Sequence, residues 1–190
     1  MKTFLLGCAL ALAAGHAAAQ SLAAPLPAAD EAAIRQTVAR MTTNFQNHQF
    51  ANMAAYTTPD VSWVNIVGMW WRGRPAVQAA HQQIFDAMFK GVAFTPGPLA
   101  VRAVAPGVAV ANLYCHVGAF YPPDGVNRGT NKEGEADDLL TLVLVKQRGR
   151  WLLAAGQNTV VRASAAPNNP VPTAGPVPVP FDPAKLPDLH

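Results

Sequence analysis

Two cysteines in 190 residues leave this chain little thiol chemistry. One of them, Cys8, lies in an N-terminal stretch expected to be removed, and Cys115 alone can form no internal disulfide. Charge is also scarce. Asp, Glu, Lys and Arg make up 13% of the residues, and the formal net charge of +3 includes Lys2, so it falls to about +2 once the leader is gone. The basic residues are scattered and never form a run, so the basic pI near 9.1 does not mark a nucleic-acid or membrane surface, which needs them clustered. No glycine-rich nucleotide fingerprint is present, and His81 and His116 lie too far apart in the chain for a metal motif. No two carboxylates stand at a spacing that suggests an acid/base dyad. What remains is chemistry or binding without a cofactor or metal.

What is present is apolar: 51% of the residues are hydrophobic, enough at this length for one domain with a real core. Lys2, the apolar run from Phe4 to Ala14 and the small residues Ala17 to Ala19 have the three regions of a secretory signal, too short to act as a bilayer anchor. Cleavage after Ala19 is predicted, which makes the protein exported, periplasmic or secreted. Residues 20–27 then form a linker, kept out of any helix interior by Pro25 and Pro27. At the other end, Ser164 to His190 holds eight of the 17 prolines, so residues 163–190 read as a Pro-rich disordered tail. The folded domain is expected over 28–162.

Within it, Asp30 and Glu31 suit a helix N-terminus, and Ile34, Val38, Met41 and Phe45 continue one stripe to about Gln46. A short second helix is expected over Phe50 to Tyr56, ended by Thr57 to Asp60. Val61 to Ile66 alternates as a strand, Gly68 permits a reversal, and Gly73, Arg74 and Pro75 open a third helix running to about Lys90. That helix puts Val77, His81, Ile84, Phe85 and Met88 on one stripe. Strands dominate afterwards: Leu99 to Val104, then Val108 to Phe120. The latter alternates a bulky, partly polar set (Asn112, Tyr114, His116) with a small apolar one (Ala109, Ala111, Leu113, Cys115). Leu139 to Val145 and Trp151 to Val160 form a hairpin. The long loop 122–137 is expected at the mouth of a pocket.

Three helices followed by a meandering antiparallel sheet make an α+β order. The residues Trp63-Val-Asn-Ile-Val-Gly-Met-Trp-Trp-Arg-Gly-Arg-Pro-Ala-Val77, His81 and Trp151-Leu-Leu-Ala-Ala-Gly-Gln-Asn-Thr159 resemble the SnoaL-like members of the nuclear-transport-factor-two-like superfamily, within them the SgcJ/EcaC group. The resemblance covers about residues 28 to 162. It implies a curved antiparallel sheet wrapped around about three N-terminal helices, a cone with a pocket at its open end, and a homodimer through the sheet's convex face. Relatives include isomerases, dehydratases and cyclases, so the scaffold alone fixes no reaction. The group's "oxidoreductase" label has no motif here to support it.

On that scaffold His81 is the candidate catalytic acid/base, since its stripe would carry it into the cone. The same position also suits a core histidine bonded to a backbone carbonyl. Asn65 and Gln157 are candidates for orienting a ligand oxygen, with Trp63, Met69 and Tyr114 as walls and His116 beside them. Asn158 is a further strand amide that needs a partner if buried. Cyclases and isomerases of this type use a pocket Asp as base; Asp86 falls off the apolar stripe, and Asp137 and Asp138 stand at a strand entrance. The expected function is binding of a small apolar or aromatic molecule, with isomerase- or cyclase-like proton transfer. The alternative is a non-catalytic binding or dimerisation module.

Overall fold

The computed structural model describes residues 25–120, 128, 134–168 and 170. The leader and the residues of the tail beyond 170 lie outside them, as does most of loop 122–137. The chain forms helix α1 (Ala28–Asn47), a single 3-10 turn (Met53–Ala55), strands β1 (Thr57–Val64) and β2 (Trp70–Arg72), and helix α2 (Arg74–Asp86). Strands β3 (Phe94–Ala105), β4 (Val108–Val117), β5 (Ala136–Gln147) and β6 (Arg150–Val160) follow, with a closing 3-10 turn (Ala163–Asn168).

All six strands join one curved sheet in the order β2-β1-β6-β5-β4-β3. Two expectations are corrected here. Of the three helices expected, two are α-helices, because the segment around Met53 closes only one turn before Thr57 leaves it for the sheet. Nor is the sheet wholly antiparallel: β1 runs parallel to β6 while every other pair is antiparallel. Strand β1 begins at Thr57, through residues that read as a turn, and its register with β6 slips between Thr57 and Ser62, where Pro59 has no amide proton to give.

Local chemistry explains the helix ends. Asp30 and Glu31 occupy the first turn of α1, where negative charge complements the exposed amides. At its far end His48 adopts a left-handed conformation, φ 54 and ψ 37, and its Nε2 meets the Val92 carbonyl at 2.8 Å. Gly73 precedes α2 with φ 81, donates to Val61 O at 2.8 Å and accepts from Val77 N at 3.1 Å. Arg74 then ties α2 to β1 through Thr57 Oγ1 at 2.9 Å and Thr57 O at 2.8 Å.

The core lies where α1 crosses the sheet. Ile34, Val38, Met41 and Phe45 meet Ala109, Ala111, Leu113, Leu140, Leu142, Leu144 and Leu153 in one cluster. The small residues of β4 are therefore the inward set, because alanines let the helix approach the strands closely. This puts Asn112, Tyr114 and His116 on the outer face, where Asn112 Nδ2 donates to Thr141 Oγ1 at 3.1 Å. Tyr114 and His116 are thus not pocket residues.

Candidate functional site

At the open end of the sheet a cavity of about 1060 Å³ lies between α2, β1, β5 and β6. Its inner wall is apolar and buried: Phe45, Trp63, Phe85, Phe94 and Leu140. The β1–β2 turn contributes Ile66, Val67 and Met69 to the lining, and Glu135, Arg162 and Ser164 add polar side chains to it.

Two buried polar side chains face this space. His81 is placed by α2 one turn after Val77, and its Nδ1 donates to the Val77 carbonyl at 2.8 Å. In the neutral ring this bond keeps the proton on Nδ1 and leaves Nε2 as the acceptor. Trp63, Trp71 and Phe45 present ring contacts at 4.9, 5.2 and 5.3 Å, with Phe50 also at 5.3 Å. Burial among them lowers the imidazole pKa to about 4, only partly offset by the bond to Val77. His81 is uncharged at neutral pH, a hydrogen-bond acceptor in an aromatic cage.

The linkage has a definite sign. Between pH 6.5 and 4 the unfolded chain takes up a proton that folded His81 refuses, so stability falls as pH falls through that window. The loss amounts to about 3 kcal/mol at about 1.4 kcal/mol per pKa unit. Urea unfolding of a His81→Gln variant at pH 7 and pH 4.5 is expected to show most of this difference removed. An unchanged difference would mean that other groups carry the acid sensitivity.

The second group is Asp138, in phase with Leu140, Leu142 and Leu144 on the inward face of β5. It is 5% exposed and lines the cavity. Asn158 Nδ2 donates to its Oδ2 at 3.0 Å, while Oδ1 is buried with no hydrogen-bond partner among the described residues. Burial raises the carboxyl's pKa; the Asn158 bond works against that, and the charge of Asp137 adds to it. Burial also pushes up the neighbouring Cys115 thiol, which keeps it protonated and inert.

The expected residues distribute unevenly. Trp63, Asn65, Met69 and His81 line the cavity. Asn65 Oδ1 accepts from Val67 N at 3.1 Å and Met69 N at 2.8 Å, which fixes the turn, and its Nδ2 is the group that can donate to a ligand oxygen. Tyr114 and His116 lie outward, and His116 Nδ1 meets Asp137 Oδ1 at 2.9 Å. Gln157 is exposed and does not line the cavity. The cause is a bulge: Leu144 faces Leu153 but Val143 faces Ala155, so Ala154 is an extra residue that reverses the faces beyond it. Gly156 and Asn158 consequently turn inward, and Gly156 lies under the Trp63 ring, where a Cβ would overlap Cζ3 and Cε3.

The sequence points to Gln157 and leaves Asp138 at a strand entrance, whereas the structure puts Asn158 and Asp138 in the cavity lining. Two signals were available: a glycine within a strand, which often marks a bulge or a close approach, and an aspartate in the alternation of three leucines. Among the described residues no cluster of three or more His, Cys, Asp or Glu could hold a metal, and no helix is long and apolar enough to cross a membrane.

The sequence model of the SnoaL-like domain matches residues 34–160. No curated protein sequence matches the chain. Among solved structures, an uncharacterized protein with a cystatin-like fold from Caulobacter vibrioides is 34% identical, with TM-score 0.68 over 74% of this chain and 95% of its own. An NTF2-like protein of unknown function from Pseudomonas putida is 17% identical, with TM-score 0.57 over 70% of this chain and 88% of its own. A Novosphingobium aromaticivorans protein provisionally named a scytalone dehydratase is 13% identical, with TM-score 0.56 over 70% and 85%. The last two are likenesses of fold alone.

Proposed function

This chain belongs to the SnoaL-like domain family of the NTF2-like superfamily, and from that premise we propose that its cavity binds a small, largely apolar cyclic molecule and that Asp138 moves a proton on it. The observation that carries the reading is the buried carboxyl of Asp138 in the cavity lining, one oxygen held by Asn158 and the other buried without a hydrogen-bond partner among the described residues. A raised pKa brings such a group nearer to neutrality, where a carboxyl both gives and takes protons effectively. His81 Nε2, neutral and fixed, accepts a hydrogen bond from a ligand hydroxyl. Trp63 and Phe85 supply the apolar walls that keep water away and orient a ring.

The chemistry that follows is isomerase- or cyclase-like. The Asp138 carboxylate takes a proton from a carbon beside a carbonyl and returns it at another, so the reaction is balanced without an electron donor or acceptor. The acid/base role expected of His81 passes in this reading to Asp138, because an imidazole with a pKa near 4 is a weak base. The dehydratase name of the Novosphingobium protein suits proton transfer on such a scaffold, and the finer SgcJ/EcaC placement rests on the residues around Trp63 and Trp151.

The test is ligand-observed NMR with cyclic ketones and phenols in D2O. Binding together with deuterium incorporation at the ligand's α-carbon is the expected result. Binding with no exchange above the buffer rate would leave a carrier rather than an enzyme, and no binding at all would end the proposal.

Two further parts of the reading concern setting. Export rests on the apolar run from Phe4 to Ala14 and the small residues before Gln20; a mature N-terminus elsewhere than Gln20 would correct it. A homodimer would use the outer sheet face, where Val110, Tyr114, Leu139 and Val143 are only half-buried; a monomer in sedimentation at micromolar concentration would remove it.

A further inference from the structure

We infer that the ligand is elongated: a cyclic, oxygen-bearing head seated against His81 and Asp138, and an apolar chain that leaves the pocket along Ile66, Val67 and Met69. The inference rests on the binding reading above and adds the shape and amphiphilic character of the molecule bound. Five large apolar side chains stand exposed among the described residues, and three of them are Ile66 at 40%, Val67 at 70% and Met69 at 57%. All three also line the cavity that holds Trp63 and His81. The apolar surface therefore runs without a break from the buried wall to the solvent, and a contiguous exposed patch of this kind marks a binding surface.

The lip is preformed. Asn65 Oδ1 holds the amides of Val67 and Met69, Asn65 N donates to Met69 O at 3.0 Å, and Gly68 N donates to Asn65 O at 2.9 Å. Gly68 supplies the positive φ of 81 that the turn needs. A turn fixed by four hydrogen bonds keeps its apolar side chains presented before any ligand arrives, which lowers the ordering cost of binding. The lining also holds Glu135, Arg162 and Ser164, whereas Ile66, Val67 and Met69 form an exposed part of it that is apolar throughout. Room is available as well: about 1060 Å³ stands at the upper end of the roughly 300–1,000 Å³ of ligand sites, more than a compact head needs.

The experiment is calorimetric titration of the chain from Gln20 onward with a series of 4-alkylphenols, ethyl to octyl. In the wild type the dissociation constant should fall about fourfold for each added methylene, the equivalent of about 0.8 kcal/mol, and should continue to fall through the longest members. In Val67→Asp, and separately in Met69→Asp, this dependence on length should flatten beyond the shorter chains, with the octyl compound weakened at least about tenfold relative to wild type. Circular dichroism melts establish that both variants fold, as expected for exposed turn positions.

A plateau at short chains in the wild type, or a parallel climb in the variants, overturns the inference while leaving the pocket reading intact. Failure of every alkylphenol to bind overturns both. If the length series is unaffected while the variants dissociate a dimer or release the protein from phosphatidylglycerol vesicles, the lip serves a second copy or a lipid surface, and the inference is again overturned.

Discussion

Asp138→Asn should abolish proton transfer and, above neutral pH, make the protein more stable. The wild-type carboxyl lies buried, with Oδ1 unpartnered among the described residues, and its pKa is raised by that burial. Folding therefore costs more as pH rises through the folded pKa, because the native state must ionise a group that it prefers to keep protonated. The amide removes this charge and still accepts from Asn158. A gain in stability is expected at pH 8, because the amide leaves no charge to be held in a buried position, and it should vanish below pH 3.8, where the wild-type carboxyl is protonated in both states. Deuterium exchange on a bound ketone should fall by about 10²–10⁴-fold, the contribution of a positioned acid/base group. Urea unfolding at pH 8 and pH 3.5 with one exchange assay reads both effects. A variant less stable at pH 8, or one that exchanges at the wild-type rate, would show that Asp138 is a structural carboxylate.

The opposite outcome is expected for Gly156→Ala. A Cβ there would overlap the Trp63 ring, and neither partner can retreat easily: Gly156 is fixed in β6 between Leu142 and Trp63 by its strand pairings, and Trp63 is packed against Phe45 and His81. Forcing an added methyl into such a site costs about 1–3 kcal/mol. Because Trp63 is both core and pocket wall, the same substitution should weaken phenol binding and shift the tryptophan fluorescence. Gln157→Ala, one residue away on the exposed face, should change stability by no more than about 0.5 kcal/mol. If the two variants melt together, the close approach of Trp63 to β6 is wrong.

These two residues also show where the sequence was legible. Period alone identified α1, since Ile34, Val38, Met41 and Phe45 leave one stripe that only a helix can bury. The β5–β6 hairpin was equally clear: its turn needs positive φ at Arg148 and Gly149, 50 and 77, and the glycine signals it. Faces were harder. In β4 the choice depended on whether a helix or a ligand covers the strand. Ala109 and Ala111 decide it for the helix, but bulk and polarity had pointed to Tyr114 and His116. In β6 Gln157 was read as a strand amide at the ligand, whereas the extra residue at Ala154 turns it outward and brings Asn158 in. Prolines misled in both directions: Pro59 read as the end of an element although β1 runs through it, and Pro96 and Pro98 hid the start of β3, an edge strand that can accommodate residues without amide protons.

The parallel pairing of β1 with β6 has a consequence for how the molecule assembles. Val64 meets Gln157 across that seam, so one half of the chain must find the other across a loop of most of the domain, whereas β3 to β6 form from neighbours in sequence. Contacts between distant segments are the slow ones to establish, because the closure entropy must be met before they stabilise anything. The candidate site straddles the same seam, with Trp63 and His81 on one side and Asp138 and Asn158 on the other. It therefore comes into being only when the two halves have joined, and a ligand held between them acts as a clasp on the completed molecule, favouring that state over any with β1 undocked.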